Sequence, residues 1–167
     1  MSIEPLSPDG QEVVRRDCED LKRLAREVFR KEICYDDASI EWLASVIEFS
    51  RNKPNEEVKR SLLEHIGSFL GEAIIARYGG EWILAQGDVL GDDGQTMGVR
   101  LPSGTIAFPY AKVYKQFKNG MADSIGGLFK LAGVPLRRNS QPGASPNGGP
   151  AAPVVNSGDS KGSPSVS

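Results

Sequence analysis

The sequence predicts an α+β domain in which amphipathic N-terminal helices pack on a short antiparallel three-stranded sheet, with helical segments towards the C-terminal end. Three observations predict it. Apolar residues recur every three or four positions through the stretch ending at Tyr78, the spacing of helices that bury one face. Past Gly79-Gly80 the spacing changes to short alternating runs separated by turn residues. The last 28 of the 167 residues hold seven Ser, five Pro and five Gly with no aromatic residue, a composition that cannot build a core. The expected organisation is therefore a flexible N-terminus over 1–10, one domain over 11–139 and a disordered Ser/Pro/Gly-rich tail over 140–167.

The first helix is expected from about Gln11 to Lys31, where Val14, Cys18, Leu21, Ala25 and Val28 form one stripe. Asp17, Glu19 and Asp20 stand early in it and Arg26, Arg30 and Lys31 late, matching the helix dipole. Asp37 or Ser39 can cap a second helix through Ile40, Leu43, Val46, Ile47 and Phe49. Pro54 interrupts, and Asn55 before Glu56, Glu57 and Val58 opens a third helix that extends to Tyr78. Its apolar residues, among them Leu63, Ile66, Phe69, Leu70 and Ile74, cover a broad arc, as in a helix packed on more than one side. Gly67 and Gly71 lie one turn apart on it. Each costs about 1 kcal/mol relative to Ala, so another element is expected to cross closely there.

Gly79-Gly80 ends that helix, and a first strand is expected through Trp82, Ile83, Leu84 and Ala85. Gly91-Asp92-Asp93-Gly94 makes a turn, Met97, Val99 and Leu101 a second strand, and Thr105 to Phe108 a third after Pro102-Ser103-Gly104. Pro109 opens a helix with Tyr110, Val113, Tyr114 and Phe117 on one side and Lys112, Lys115 and Lys118 on another. A last helix over Met121 to Leu131 is weakened by Gly126 and Gly127.

Chemistry is sparse. Cys18 and Cys34 are 16 residues apart, about 24 Å if one helix spans them, too far for a disulfide. With a single histidine no metal-ligand spacing exists, and neither a metal nor a cofactor is expected. Asp88-Val89-Leu90-Gly91-Asp92-Asp93-Gly94 lacks the alternating ligands of a calcium loop, and no Gly-Lys-Ser phosphate loop is present. His65 lies seven residues from Glu72, too far along one helix for a direct pair, and Cys18, Ser61 and Ser68 have no nucleophile motif around them. Glu72 interrupts an apolar run. It is expected either in solvent or buried with a partner such as Arg100 or Tyr110.

Charge is the clearest lead. The net charge of -2 conceals 20 acids against 12 bases in residues 1–95 and one acid against seven bases in 96–139. An overall field for nucleic acid is absent; the contrast fits attraction between the two segments together with an ordinary solvated lysine face, and the functional alternatives are an acidic protein partner first and nucleic acid second. Met1 to Gly10 shows no secretory pattern and no run approaches the length of a membrane span, so the cytoplasm is the expected location and no membrane is involved.

Ile66-Gly67-Ser68-Phe69-Leu70-Gly71-Glu72, Gly79-Gly80-Glu81-Trp82, Leu101-Pro102-Ser103-Gly104 and Asn119-Gly120 together resemble uncharacterised small bacterial α+β domains with a Leu-Gly-Glu helix and a Gly-Gly-Trp junction. The resemblance covers about half the chain and implies an immunity-like or accessory partner of another protein, without catalytic residues to carry over. The function expected is thus non-enzymatic protein binding, with Glu72, Trp82, Arg100, Tyr110, Lys112, Lys115 and Lys118 as the binding residues. The alternatives are a small hydrolase-like enzyme using Glu72 with His65, and weak nucleic-acid binding through the Lys112, Lys115 and Lys118 face.

Overall fold

The computed structural model describes residues 1–87 and 94–134. The chain begins with strand β1 (Ser2–Pro5), followed by helices α1 (Pro8–Phe29), α2 (Asp37–Arg51) and α3 (Glu56–Tyr78). Strands β2 (Glu81–Gln86), β3 (Gln95–Arg100) and β4 (Ile106–Ala107) come next, then α4 (Pro109–Asn119), a 3-10 turn (Met121–Asp123) and α5 (Ile125–Leu131). The turn at Gly91-Asp92-Asp93 and the tail over 140–167 lie outside the described residues.

The sheet has four strands, ordered β1-β2-β3-β4 and antiparallel throughout, which corrects the expected three-stranded sheet. The missing strand was Ser2–Pro5, part of the segment expected to be a flexible N-terminus. Its four residues are mostly exposed and carry no apolar alternation, so periodicity cannot reveal it. It joins by antiparallel backbone pairing, with Ile3 opposite Ala85 and Pro5 opposite Ile83. Proline is tolerated because β1 is an edge strand. Leu6 extends the attachment, its N–H donating to the Trp82 carbonyl at 3.0 Å, and Ser7 then caps α1 by accepting from the Gly10 N–H.

The helices follow from their caps and stripes. Asp36, rather than Asp37 or Ser39, caps α2 by accepting from the Ser39 N–H at 2.8 Å. Asn55 caps α3 through the Val58 N–H as expected. Val14, Cys18, Leu21 and Ala25 of α1 are buried, but Val28 is 62% exposed because α1 ends one residue later, with Arg30 in the left-handed conformation. Phe49 is also exposed, its ring beside the Lys53 ammonium at 4.2 Å. Cys34 falls beyond α1, so one helix does not span the two cysteines; both thiols are free, Cys18 buried and Cys34 exposed.

Helix α3 is the centre. Leu63, Ile66, Phe69, Leu70, Ala73 and Ile74 are buried on it, and its neighbours include α1, α2, α4, α5 and β3. Each fully buried leucine or isoleucine contributes about 1.5–3 kcal/mol before entropy is charged against it, which makes this helix the main hydrophobic anchor. The two glycines act as expected. A Cβ on Gly67 would fall on the Tyr110 ring of α4, and one on Gly71 would fall on the Trp82 indole of β2. The close approach therefore comes from two aromatic rings, one on a helix and one on the sheet.

Candidate functional site

The interior carries a polar chain that joins three helices. Ser68 of α3 donates its hydroxyl to Asp17 Oδ2 of α1 at 2.8 Å and lies 2.6 Å from the Tyr110 hydroxyl of α4. His65, one turn before Ser68, approaches Asp17 Oδ1 with its Nε2 at 3.4 Å. Burial pushes the Tyr110 hydroxyl up to about 12, so it is a neutral hydrogen-bonding group at physiological pH. Ser68 is fully buried and donates to one oxygen of the carboxylate while His65 approaches the other, with no hydrogen bond between Ser68 and His65. A Ser-His nucleophile needs the imidazole as the serine's direct proton acceptor, and this order of groups ties three helices together instead.

Glu72 is held close by. It accepts the Trp82 indole N–H at 2.6 Å, and Trp82 in turn packs on Tyr110 with ring centroids 5.9 Å apart. The carboxylate's partner is therefore Trp82, not Arg100 or Tyr110. Burial first, and the negative charge of Glu72 second, push the Cys18 thiol up to about 12, which keeps it protonated and unreactive. Arg100 stands apart. It pairs with Glu81, its cross-strand neighbour, whereas Trp82 and Val99 form the adjacent pair and so project from the other face of β2 and β3. Glu72, Trp82 and Tyr110 are brought together and Arg100 is not. The groove that includes His65 runs between α1 and α3, is about 360 Å³, and is lined by both signs of charge, with Arg23 already on Asp20; Glu72 is not among its lining residues.

The three lysines border one groove. An open groove of about 750 Å³ runs beside α4. Its floor is apolar, made by Ile106, Ala107, Phe108, Ala111 and Leu128, and Lys112, Lys115 and Lys118 all line it. Pro109 at the start of α4 sets this geometry: helical spacing of three residues places the lysines along one edge while Val113 and Gln116 turn into the core. Tyr114 also lines the groove and is exposed, unlike its expected place on the buried side.

Among the described residues the other basic groups of this stretch are engaged elsewhere, Arg100 with Glu81 and Lys130 with Glu41 at 2.7 Å. Lys112 and Lys115 share Asp123 Oδ1 at 3.5 and 3.6 Å, and Lys118 has no ion pair among the described residues. Asp123 is the only acid between residues 96 and 139, a signal present in the sequence once the charges are counted by segment. Asn119 donates to its Oδ2 at 2.7 Å; this bond, with the nearby lysines, holds the carboxyl below its ordinary range.

Two further residues were missed. Asp17 falls between Val14, Cys18 and Leu21 on the buried stripe, so its spacing already sets it apart from the solvent-facing acids of α1. Gln116 is fully buried, donates to the Ala44 carbonyl at 2.9 Å and accepts from the Ile125 N–H at 2.9 Å. Its spacing from Pro109 and Val113 marks the buried face of α4.

Among the described residues no cluster of His, Cys, Asp and Glu is arranged to hold a metal, and no helix is long and apolar enough to cross a membrane. No protein family, curated protein or solved structure matches the chain.

Proposed function

We propose that this chain is a non-enzymatic protein-binding domain and that its binding face is the groove lined by Lys112, Lys115 and Lys118. The observation that carries the reading is that three lysines line one groove with an apolar floor. An acidic segment with apolar side chains is the complementary occupant: its carboxylates meet the lysines, and its apolar groups cover Phe108, Ala111 and Leu128. Charge steers such an encounter, and the desolvated floor supplies most of the residence time. Glu72, Trp82 and Tyr110 serve this face from behind, by holding α4 and the sheet on α3. An immunity-like or accessory role belongs to the same proposal.

The test is affinity capture from a native extract with the intact chain and with Lys112→Glu, Lys115→Glu and Lys118→Glu combined. A reversal of Lys130 serves as the charge control. A partner lost only with the groove reversal supports the reading. A partner retained equally by all three proteins removes the groove from the account, and salt-sensitive retention of RNA or DNA in place of protein would replace it.

A further inference from the structure

An anion stands beside the groove, reaching it through two of the lining lysines and Asn119 without itself lining the floor. Asp123 sits on the 3-10 turn after α4, and its Oδ2 is anchored by the Asn119 side chain. Its Oδ1 faces Lys112 and Lys115 at 3.5 and 3.6 Å, beyond the about 2.7–3.2 Å of a direct hydrogen bond. The carboxylate thus neutralises part of the lysine edge without closing on either ammonium. It is one negative charge set in a stretch that otherwise holds seven positive ones.

We propose that Asp123 is an intramolecular competitor for the partner's carboxylates, weakening docking at Lys112 and Lys115 and leaving Lys118 as the first point of attachment. The inference rests on the reading of the groove as a protein-docking surface. An incoming carboxylate that reaches Lys112 and Lys115 meets the like charge of Asp123 as well as two ammonium groups already partly satisfied. Only a segment that supplies apolar contacts on Phe108, Ala111 and Leu128 together with its charge overcomes that opposition. Asp123 in this way selects an amphipathic acidic segment over a merely acidic one.

The experiment measures fluorescence anisotropy at low salt with two labelled synthetic peptides. One carries leucines on one helical face flanked by glutamates, and the other replaces the glutamates with glutamines. Asp123→Asn keeps an oxygen for Asn119 and removes the charge; thermal unfolding checks that it folds, and Asp123→Ser repeats the measurement if it does not. The expected result is about threefold to tenfold tighter binding of the glutamate peptide, the scale of one or two exposed ion pairs, with the glutamine peptide unchanged. The gain should vanish at high salt and when Lys112 and Lys115 are both changed to glutamine. Equal affinity of wild type and Asp123→Asn for the glutamate peptide, with binding still dependent on the lysines, overturns the competitor while the groove reading stands. No lysine-dependent binding to either protein overturns both.

Discussion

Replacing Gln116 with alanine should destabilise the fold by about 2–5 kcal/mol. The figure follows from where the two amide hydrogen bonds end. Ile125 is the first residue of α5, so its N–H has no partner within that helix, and Gln116 Oε1 is its acceptor at 2.9 Å. Losing that acceptor in a buried site costs about 1–3 kcal/mol. The Ala44 carbonyl is less exposed to the change, since it lies inside α2 and keeps its helical bond when Gln116 Nε2 is removed. The remaining cost is the cavity left by the side chain in a fully buried position. Urea unfolding followed by circular dichroism should show a lower midpoint at unchanged slope, and hydrogen exchange should accelerate at the Ile125 amide. Gln116→Met separates the two contributions, because it preserves most of the volume and none of the hydrogen bonds. If Gln116→Met is within 0.5 kcal/mol of wild type, the threshold below which a substitution is ordinarily neutral, the reasoning about the orphaned N–H is wrong.

Other outcomes can be checked in the same set of measurements. Gly71→Ala should lower stability by about 1–3 kcal/mol despite alanine's helix propensity, and Trp82 fluorescence should report the displaced indole. Arg30→Gly should raise stability by about 0.5–1 kcal/mol, because Arg30 occupies the left-handed conformation at φ 53°; a lower urea midpoint would contradict this. A thiol reagent at mildly alkaline pH should label Cys34 and spare Cys18 in the native protein, whereas labelling of both at equal rates would show that Cys18 is accessible. Stability should also fall as pH rises from about 9 towards 12, since the unfolded chain releases the Cys18 proton near its ordinary value while the folded chain retains it up to about 12. Cys18→Ala should flatten that part of the profile, and an unchanged slope would remove the thiol as its cause.

The helical half of the fold was readable because its information is local. Asn55 with Glu56 and Glu57 is a cap written in consecutive residues, and Gly67 with Gly71 announces a close neighbour without naming it. Naming Tyr110 and Trp82 as the neighbours required the long-range arrangement. β1 escaped because an edge strand bonded through its backbone needs no particular side chains. The lysine edge was readable from helical spacing, but its floor draws on β4, α4 and α5, and nothing in the local pattern of Ile106, Phe108 and Leu128 says they meet. Arg100 was grouped with Glu72 by chemical type; strand alternation sends it to Glu81 on the other face. The Asp17 to Ser68 bond spans 51 positions and was hidden behind a sufficient local explanation, the helix dipole, for an acid early in α1.

The two rings seated on α3 have a geometric consequence. Their centroids are 5.9 Å apart, and the glycines that receive them are four residues apart, a rise of about 6 Å along the helix axis. The sheet and α4 are therefore indexed to each other by the pitch of α3, the helix that precedes β2 in the chain. Sliding one against the other by less than a turn would drive a ring into a side chain on α3. A single methyl added to the helix at either seat must therefore displace an aromatic ring, and with it the alignment of the sheet or of α4.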